Sequence, residues 1–374
     1  NIVTYNKSLN NHNFKLTGVY EFQEGVGKVL NLNVDNLQGP LSYYLAELNA
    51  GFNFNNNKTE SSIESVMARL EYNFNEKLFL TGTVRRDGSS RFQGDNKWGT
   101  FYSFAGSYNL TDSSFIQDSG LFSSLKVRAG WGQVGNQNIG IYSTFDSVSL
   151  GSVYAFDGAS REVGSTVGTI GNADTTWETT TQTNVGVDFG ILDGKIDVSL
   201  DWYTKNTTDL LLAVPIPATL VGPGKSQIRN VGEVENTGID IAIGATIVKN
   251  DNFSWDSNLS MSFVKNKIVD LGLDPLGNTL EEIQGNFQSI DGQGRTWNVF
   301  QLGEPLGQIQ GATFLGTWKT SEAAEAAQFG AVPGDAKYLR DANGDRVISV
   351  IGNGTPTMLW GWNNTLAYKD WDLN

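Results

Sequence analysis

The chain has 374 residues, 39% of them hydrophobic, 18% charged and 11% aromatic, and its formal net charge is −14. This acidic balance argues against a nucleic-acid partner, and the absence of cysteine excludes disulfides and cysteine-based metal sites. No apolar run approaches the roughly 18 residues that a membrane-spanning helix needs, so the sequence predicts no transmembrane helix.

The single histidine, His12, lies near the start of the chain in the sequence Asn-Asn-His-Asn, which is typical of a loop. No nucleophile elbow, zinc-binding HExxH pair or phosphate-binding loop occurs anywhere in the sequence. With 40 acidic residues, chance proximity is the expected origin of any carboxylate pair. The sequence therefore does not predict an enzyme.

Alternation of apolar and polar residues is the main structural signal. In 66–74, Val66, Leu70 and Phe74 fall on one face, while Arg69 and Glu71 fall on the other. This period of two predicts strands with one apolar and one polar face. The same pattern predicts eight strands: 66–74, 78–88, 101–110, 124–132, 180–191, 195–204, 239–247 and 253–263.

The predicted connections are of two kinds. Tight turns, such as Asp193-Gly194, join some strands, while others are separated by long loops. Short turns at one end and long loops at the other are typical of outer-membrane barrels, whose tilted strands run to about ten residues. A soluble propeller or sandwich is the alternative, but it would place its polar residues outside. The predicted long loops are 134–178, 205–236, 264–304 and 313–356.

Five ordered stretches carry a family resemblance. The most specific is Arg85-Arg86-Asp87-Gly88-Ser89-Ser90-Arg91-Phe92, followed by Trp98-Gly99-Thr100-Phe101. The others are 177–188, 201–211, 230–238 and 333–353. With these motifs the chain resembles the SusC/RagA-like TonB-dependent outer-membrane transporters. The family motif residues singled out are Arg86, Asp87, Gly88, Ser89, Arg91 and Phe92.

The resemblance implies an all-β fold, a partial transmembrane antiparallel β-barrel. In the family about twenty-two strands surround an N-terminal plug, whereas about a dozen strands are expected here. Residues 1–374 are therefore expected to be a barrel segment without the plug and the final strands.

The resemblance also implies a function and partners. The family imports large nutrients, oligosaccharides or peptides, across the outer membrane. Its partners are a SusD-like surface lipoprotein, TonB acting through the plug, and outer-membrane lipid. A passive porin-like or structural barrel, and a soluble carbohydrate-active enzyme, are the alternatives from other classes.

Loop aromatics are the candidate substrate contacts, because aromatic planes suit the C–H faces of sugar rings. Packing anchors within the loops are the simpler interpretation for most of them. Arg85 to Arg91 is in the same way interpreted as an ion-paired turn that orders a loop, rather than as a ligand site. The candidate aromatics are Tyr154, Phe156, Trp177, Trp297 and Trp318.

Two further features lie in the last predicted loop. Asp341, Asn343 and Asp345 resemble the opening of a calcium loop, but Arg346 and Gly352 occupy the positions where Gly and Glu are expected. A hydrogen-bonded Asx turn is therefore preferred to a bound Ca²⁺, and no other cofactor is expected. Residues 321–328 are helix-like, with Ser321 as the predicted cap.

Overall fold

The computed structural model describes residues 1–34, 52–154, 162–216, 226–273, 277–285 and 296–374. Within these ranges the chain is dominated by strands, and two short α-helices are present, α1 (Ser114–Ser119) and α2 (Ala323–Gln328). None of the described helices is long and apolar enough to cross a bilayer. In chain order the strands are β1 (Ile2–Leu9), β2 (His12–Val34), β3 (Phe52–Phe74), β4 (Leu78–Ser89), β5 (Trp98–Asn109), β6 (Phe122–Asn136), β7 (Val148–Tyr154), β8 (Glu162–Val167), β9 (Glu178–Ile191), β10 (Ile196–Thr208), β11 (Leu211–Pro215), β12 (Ser226–Asn230), β13 (Glu233–Lys249), β14 (Phe253–Asp270), β15 (Glu282–Gln284), β16 (Asn298–Gln301), β17 (Gln308–Ala312), β18 (Phe314–Thr317), β19 (Ala336–Tyr338), β20 (Ile348–Asn353), β21 (Met358–Tyr368) and β22 (Trp371–Leu373).

One antiparallel sheet of twelve strands forms the body of the molecule, in the order β1-β2-β3-β4-β5-β6-β9-β10-β13-β14-β21-β22. Every strand pairs with the strand that follows it in this series, and β1 and β22 are its two edges. The all-β partial barrel expected from the sequence is confirmed. The remaining strands form small sheets within the connections.

The connections differ strongly between the two ends of the large sheet. At the end that we call the turn end, 10–11, 75–77, 192–195, 250–252 and 369–370 are tight turns, while 110–121 includes α1. At the opposite end, the loop end, 90–97, 137–177, 209–232 and 271–357 are longer, and 35–51 lies outside the described residues. The last connection, 271–357, contains the whole of the predicted loop 313–356 and all of the predicted loop 264–304 except 264–270, which belong to β14.

The two faces of the large sheet are of opposite character. We call the face with Val66, Leu70 and Trp202 the outer face, and these residues are 51%, 48% and 46% exposed. On the other face, which we call the inner face, Ser65 and Asp87 are only 2% and 6% exposed near the loop end. Polar side chains are thus buried while apolar ones are exposed, the reverse of a water-soluble sandwich.

The apolar belt of the outer face is continuous because the strands are in register. One row runs from β6 to β21, with directly paired residues on neighbouring strands. Towards the loop end the outer face becomes polar, with Thr204 and Thr237 paired beyond the belt. The belt therefore has the limited height that a bilayer core requires. The row comprises Ala129, Val185, Trp202, Ile239, Phe263 and Met358.

Two predictions about local structure were wrong. His12, expected in a loop, is the first residue of β2, and its imidazole accepts or donates a 2.8 Å hydrogen bond with the Tyr72 hydroxyl. Ser321 does not cap α2, because it lies in a 3-10 turn, Thr320–Glu322, that precedes the helix. The Glu322 carboxylate instead accepts the Lys319 backbone N–H at 2.9 Å.

Candidate functional site

The loop end of β4 presents a charged pair to the inner face. Period two places Arg85 and Asp87 on this face, and Asp87 lies directly opposite Ser65 of β3. The Arg85 guanidinium donates to both Asp87 oxygens, at 2.8 and 3.0 Å, and to the Ser65 hydroxyl at 2.8 Å. Glu21 lies 3.8 Å from the same guanidinium. The arginine is therefore held by its own sheet, as the structural interpretation of this motif predicts.

The rest of the motif joins the turn after β4 to the long connection after β6. The Ser89 hydroxyl donates to Gln137, and the Arg91 guanidinium donates to the Ile139 carbonyl. In return, the Thr144 hydroxyl donates to the Arg91 carbonyl at 2.9 Å. Each loop thus donates a side-chain hydrogen bond to a backbone carbonyl of the other, Arg91 to Ile139 and Thr144 to Arg91. These bonds fix the two loops to each other.

A small hydrophobic core lies beneath these polar contacts on the inner face. It consists of Phe92, Phe101, Ile139 and Trp177, which are between 0% and 8% exposed. The Trp177 ring centroid lies 5.4 Å from that of Phe92 and 5.6 Å from that of Phe101, and its indole N–H donates to the Lys97 carbonyl at 3.0 Å. The close packing of these four side chains, beside a sheet whose outer face exposes its apolar residues, shows that the loops at this end form a packed unit.

The connection between β10 and β13 joins the same unit. The Ile228 carbonyl accepts hydrogen bonds from the Asn172 amide at 3.1 Å and from the Thr175 hydroxyl at 3.2 Å. The Asn230 amide bonds both backbone groups of Thr176, at 2.8 and 2.9 Å. Three connections, 90–97, 137–177 and 209–232, are therefore locked together, and we call them the mouth unit.

On the outer face of β4, the arginine of the same motif stacks on a tryptophan ring. Arg86 faces outward and lies over the Trp98 ring, with 5.0 Å between the guanidinium carbon and the ring centroid. The indole in turn lies across Gly88, where an added Cβ would be 2.6 Å from Cζ3. The pair sits where the outer face changes from apolar to polar, the position of an interfacial aromatic.

The candidate substrate-stacking aromatics are placed in different environments. Trp318 is 5% exposed and is stacked on Phe329, with the Lys337 ammonium 4.2 Å from its ring centroid, so it is a packing anchor. Trp297 is 51% exposed and stays a candidate. The side chain of Tyr154 and the whole of Phe156 lie outside the described residues.

Asp341, Asn343 and Asp345 form a tight turn. One Asp341 oxygen accepts the backbone N–H groups of Asn343 and Asp345, at 2.9 and 3.0 Å, which is the geometry of an Asx turn. The Arg340 guanidinium donates to the Gly344 carbonyl at 2.6 Å, so a cation already lies beside the turn. No cluster of three or more His, Cys, Asp or Glu side chains suited to a metal occurs in the described part of the chain. The geometry favours the turn over the ion, and calcium stays a prediction.

A polar network around Arg128 lies on the inner wall and was not predicted from the sequence. The Arg128 guanidinium bonds Asp188 at 2.7 and 2.8 Å and Asp201 at 2.9 Å, while Ser199 donates to Asp188 at 2.7 Å. The network spans β6, β9 and β10, because their inner-face positions are in register. The alternation in the sequence shows which residues of each strand share a face. It does not show which residues of distant strands are paired.

The chain is similar to known TonB-dependent receptors over most of its length. Residues 2–372 match the family model described as "TonB dependent receptor-like, beta-barrel". TonB-dependent receptor P26 of Formosa agariphila is 36% identical over 320 residues, which are 83% of this chain and 31% of that protein. TonB-dependent receptor P3 of the same organism is 33% identical over 401 residues, which cover 100% of this chain and 37% of that protein.

Two further similarities concern SusC and a solved importer. TonB-dependent receptor SusC of Bacteroides thetaiotaomicron is 35% identical over 225 residues, 57% of this chain and 21% of that protein. The structure of the RagAB peptide transporter superposes with a TM-score of 0.78 at 23% identity, covering 98% of this chain and 39% of that chain. The chain thus spans about a third of the length of the first two curated relatives.

Proposed function

The chain belongs to the TonB-dependent receptor-like β-barrel family, and from this membership we propose that it forms part of the wall of an active importer of large nutrients. Barrels of this family lie in the outer membrane, and the exposed apolar belt of the chain is the surface that meets lipid. The proposed cargo is an oligosaccharide or a peptide, too large for simple diffusion.

The inverted burial of the sheet carries this proposal. An inner face with buried Ser65, Asp87 and Ser89 and an outer face with exposed Val66 and Leu70 suit a wall between water and hydrocarbon. A catalytic cleft would need a converging nucleophile, base or metal. Transport needs only a polar path and a means of opening it, so no bond in the cargo changes.

The mouth unit supports a surface partner. Three connections locked by Arg91, Trp177 and Asn230 give a fixed platform at one end of the barrel wall, which suits repeated docking of a lid. We propose that this lid is a SusD-like lipoprotein. RagAB, whose structure has the same fold, is described as a peptide importer, which is consistent with nutrient uptake. TonB would supply the energy through a plug.

Uptake by living cells tests the function. A strain that lacks the full-length receptor is compared with the wild type for uptake of neutral oligosaccharides and of peptides, with and without a protonophore. We expect uptake of one class to require both the receptor and the proton gradient. Uptake that needs the receptor and survives the protonophore would instead establish the passive porin-like barrel.

The partner is tested on the purified receptor. The full-length receptor is tagged, extracted in detergent and analysed by denaturing mass spectrometry. We expect a lipoprotein to co-purify in a fixed ratio. A receptor that is active in uptake and carries no lipoprotein would remove the lid from the proposal while leaving import intact.

A further inference from the structure

A group of polar side chains on the inner wall lies directly beside the mouth unit. On β10, Tyr203 pairs with Asn184 of β9, and Lys205 pairs with Gln182 of β9 and Asn236 of β13. All five point to the inner face, because the neighbouring Trp202 and Thr204 belong to the outer one. We call these five residues the amide patch.

The side chains of the amide patch are not engaged by the part of the chain that the structure describes. Across the described residues, none of the five side chains has a hydrogen-bonding or ion-pairing partner, although the patch holds three amides, a hydroxyl and an ammonium group. Nearby carboxylates are already engaged, Asp201 by Arg128 at 2.9 Å and Asp240 by the Ser262 hydroxyl. The contrast indicates that the patch offers donors and acceptors to something in the lumen.

The tyrosine ring in this patch is laid across the wall rather than standing in the lumen. A Cβ added at Gly238, the β13 partner of Tyr203, would be 2.5 Å from Cζ and 2.7 Å from Cε1 of the ring. Gly238 is buried beneath this ring, while the ring itself is only half-buried. The amide of Asn184 lies in the same way over Gly130, 2.7 Å from the position of an added Cβ. Because Gly238 and Gly130 have no side chains, the Tyr203 ring and the Asn184 amide lie close to the sheet. A flat aromatic surface and an amide are therefore exposed side by side.

We propose that the amide patch is a binding subsite for a neutral pyranose unit of an oligosaccharide. A sugar ring has an apolar C–H face that stacks on an aromatic plane and a rim of hydroxyls that both donate and accept. The Tyr203 ring supplies the plane, and the amides of Asn184, Gln182 and Asn236 supply the donors and acceptors around it. This inference rests on the proposed importer function, and names its cargo as carbohydrate.

A binding experiment on the full-length receptor tests the subsite. Cellohexaose, laminarihexaose and mannohexaose are titrated by calorimetry into the detergent-purified receptor and into Tyr203→Ala and Tyr203→Phe. We expect at least one of the three to bind, with affinity about tenfold weaker in Tyr203→Ala. We expect Tyr203→Phe to stay within about threefold of wild type, because the ring face is kept. Tyr102→Ala is the matched control, since Tyr102 is 45% exposed on the outer face of β5.

Several outcomes overturn the subsite. Binding of none of the three sugars, or equal affinity in Tyr203→Ala and wild type, removes it. Binding of a mixed hydrophilic peptide library that weakens in Tyr203→Ala would assign the patch to peptides instead. Each variant is first required to show the heat-dependent gel shift of a folded barrel. Uptake that stays dependent on the proton gradient while sugar binding fails would overturn this inference and leave the importer function standing.

Discussion

The Trp98 indole lies flat on the outer surface of β4 because Gly88 beneath it has no side chain. A Cβ at Gly88 would be 2.6 to 2.8 Å from three ring carbons, which is closer than real contacts allow. The ring is in turn covered by Arg86, 5.0 Å from its centroid. Single residues thus determine whether the interfacial ring lies flat or projects into the lipid.

We expect Gly88→Ala to destabilise the full-length barrel by about 1–3 kcal/mol, because the indole has to move off the strand. The midpoint of urea-induced unfolding, followed by Trp fluorescence, measures this loss. Gly18→Ala is the matched control, since Gly18 also lies on the outer face and an added Cβ there has nothing within 4 Å. Equal midpoints for the two variants would show that the ring does not depend on the glycine.

At the scale of the element, the strands were predictable where the alternation is strict. The predicted 78–88 and 180–191 differ from the observed Leu78–Ser89 and Glu178–Ile191 by no more than two residues at either end. In contrast, β2 was missed, although Phe14, Leu16, Tyr20 and Phe22 lie on one face, because Gly18 and Val19 interrupt the alternation and Glu24 and Lys28 carry charges on the outer face of its loop-end half. The small strands within the loops were also missed, since they are only three to seven residues long, too short for alternation to identify them.

The candidate site was only partly predictable, for a related reason. The motif 85–92 was recognised and its structural interpretation was preferred, but the partners of Arg91 and Trp177 lie about 50 to 80 residues away in the chain. Tyr203 was not among the candidate residues, although its position next to Trp202 in a predicted strand places the two side chains on opposite faces. Alternation of apolar and polar residues predicts the face of the sheet on which each side chain lies. Contacts between loops depend instead on the register of distant strands, which alternation does not give.

The mouth unit should behave as one element. Trp177 packs against Phe92 and Phe101, and its indole N–H donates to the Lys97 carbonyl at 3.0 Å. Trp177→Ala is therefore expected to reduce the local stability of the mouth unit by about 3–5 kcal/mol. We expect the connection 137–177 to become sensitive to added protease while the strands stay protected. Trp297→Ala is the control, since Trp297 is 51% exposed. Unchanged cleavage in Trp177→Ala would show that the loops are held without this core.

The segment that precedes α2 should be sensitive to acid. The Lys319 backbone N–H and then the Lys337 ammonium hold the pKa of the Glu322 carboxyl below its ordinary value. A depressed carboxyl pKa adds stability that is present above the unfolded-state pKa and is lost as the pH falls through the lower folded-state pKa. We therefore expect amide exchange at Lys319 to accelerate below about pH 4, after correction for intrinsic rates.

The pH effect has a direct control in Glu322→Gln. The amide keeps an acceptor for the Lys319 N–H but has no charge to lose, so protection at Lys319 should be weaker at neutral pH and should change little on acidification. Hydrogen exchange with peptide-level mass spectrometry gives both profiles. A wild-type profile as flat as that of Glu322→Gln would show that the carboxylate is not what secures this turn.

At the scale of the whole molecule, the twelve-stranded sheet is open. Among the described residues its edge strands, Ile2–Leu9 and Trp371–Leu373, pair on one side only, and the apolar belt of the outer face runs across the strands of the series. Unpaired strand edges within hydrocarbon are costly, because each backbone N–H and C=O there lacks a partner. Twelve strands with a polar inner wall are therefore a stable structure only when further strands close the cylinder.

Residues 1–374 produced alone should therefore not form a stable closed barrel. We expect them to give no heat-dependent gel shift in detergent and to be cleaved within the strands by protease, whereas the full-length receptor resists both treatments. Mass spectrometry under native conditions is expected to find a mixture of associated species, because open edges pair with one another. A stable monomer of 374 residues with a heat-dependent gel shift would mean that the sheet closes on itself. The narrower pore of such a barrel would favour passive diffusion of small solutes over import of large nutrients.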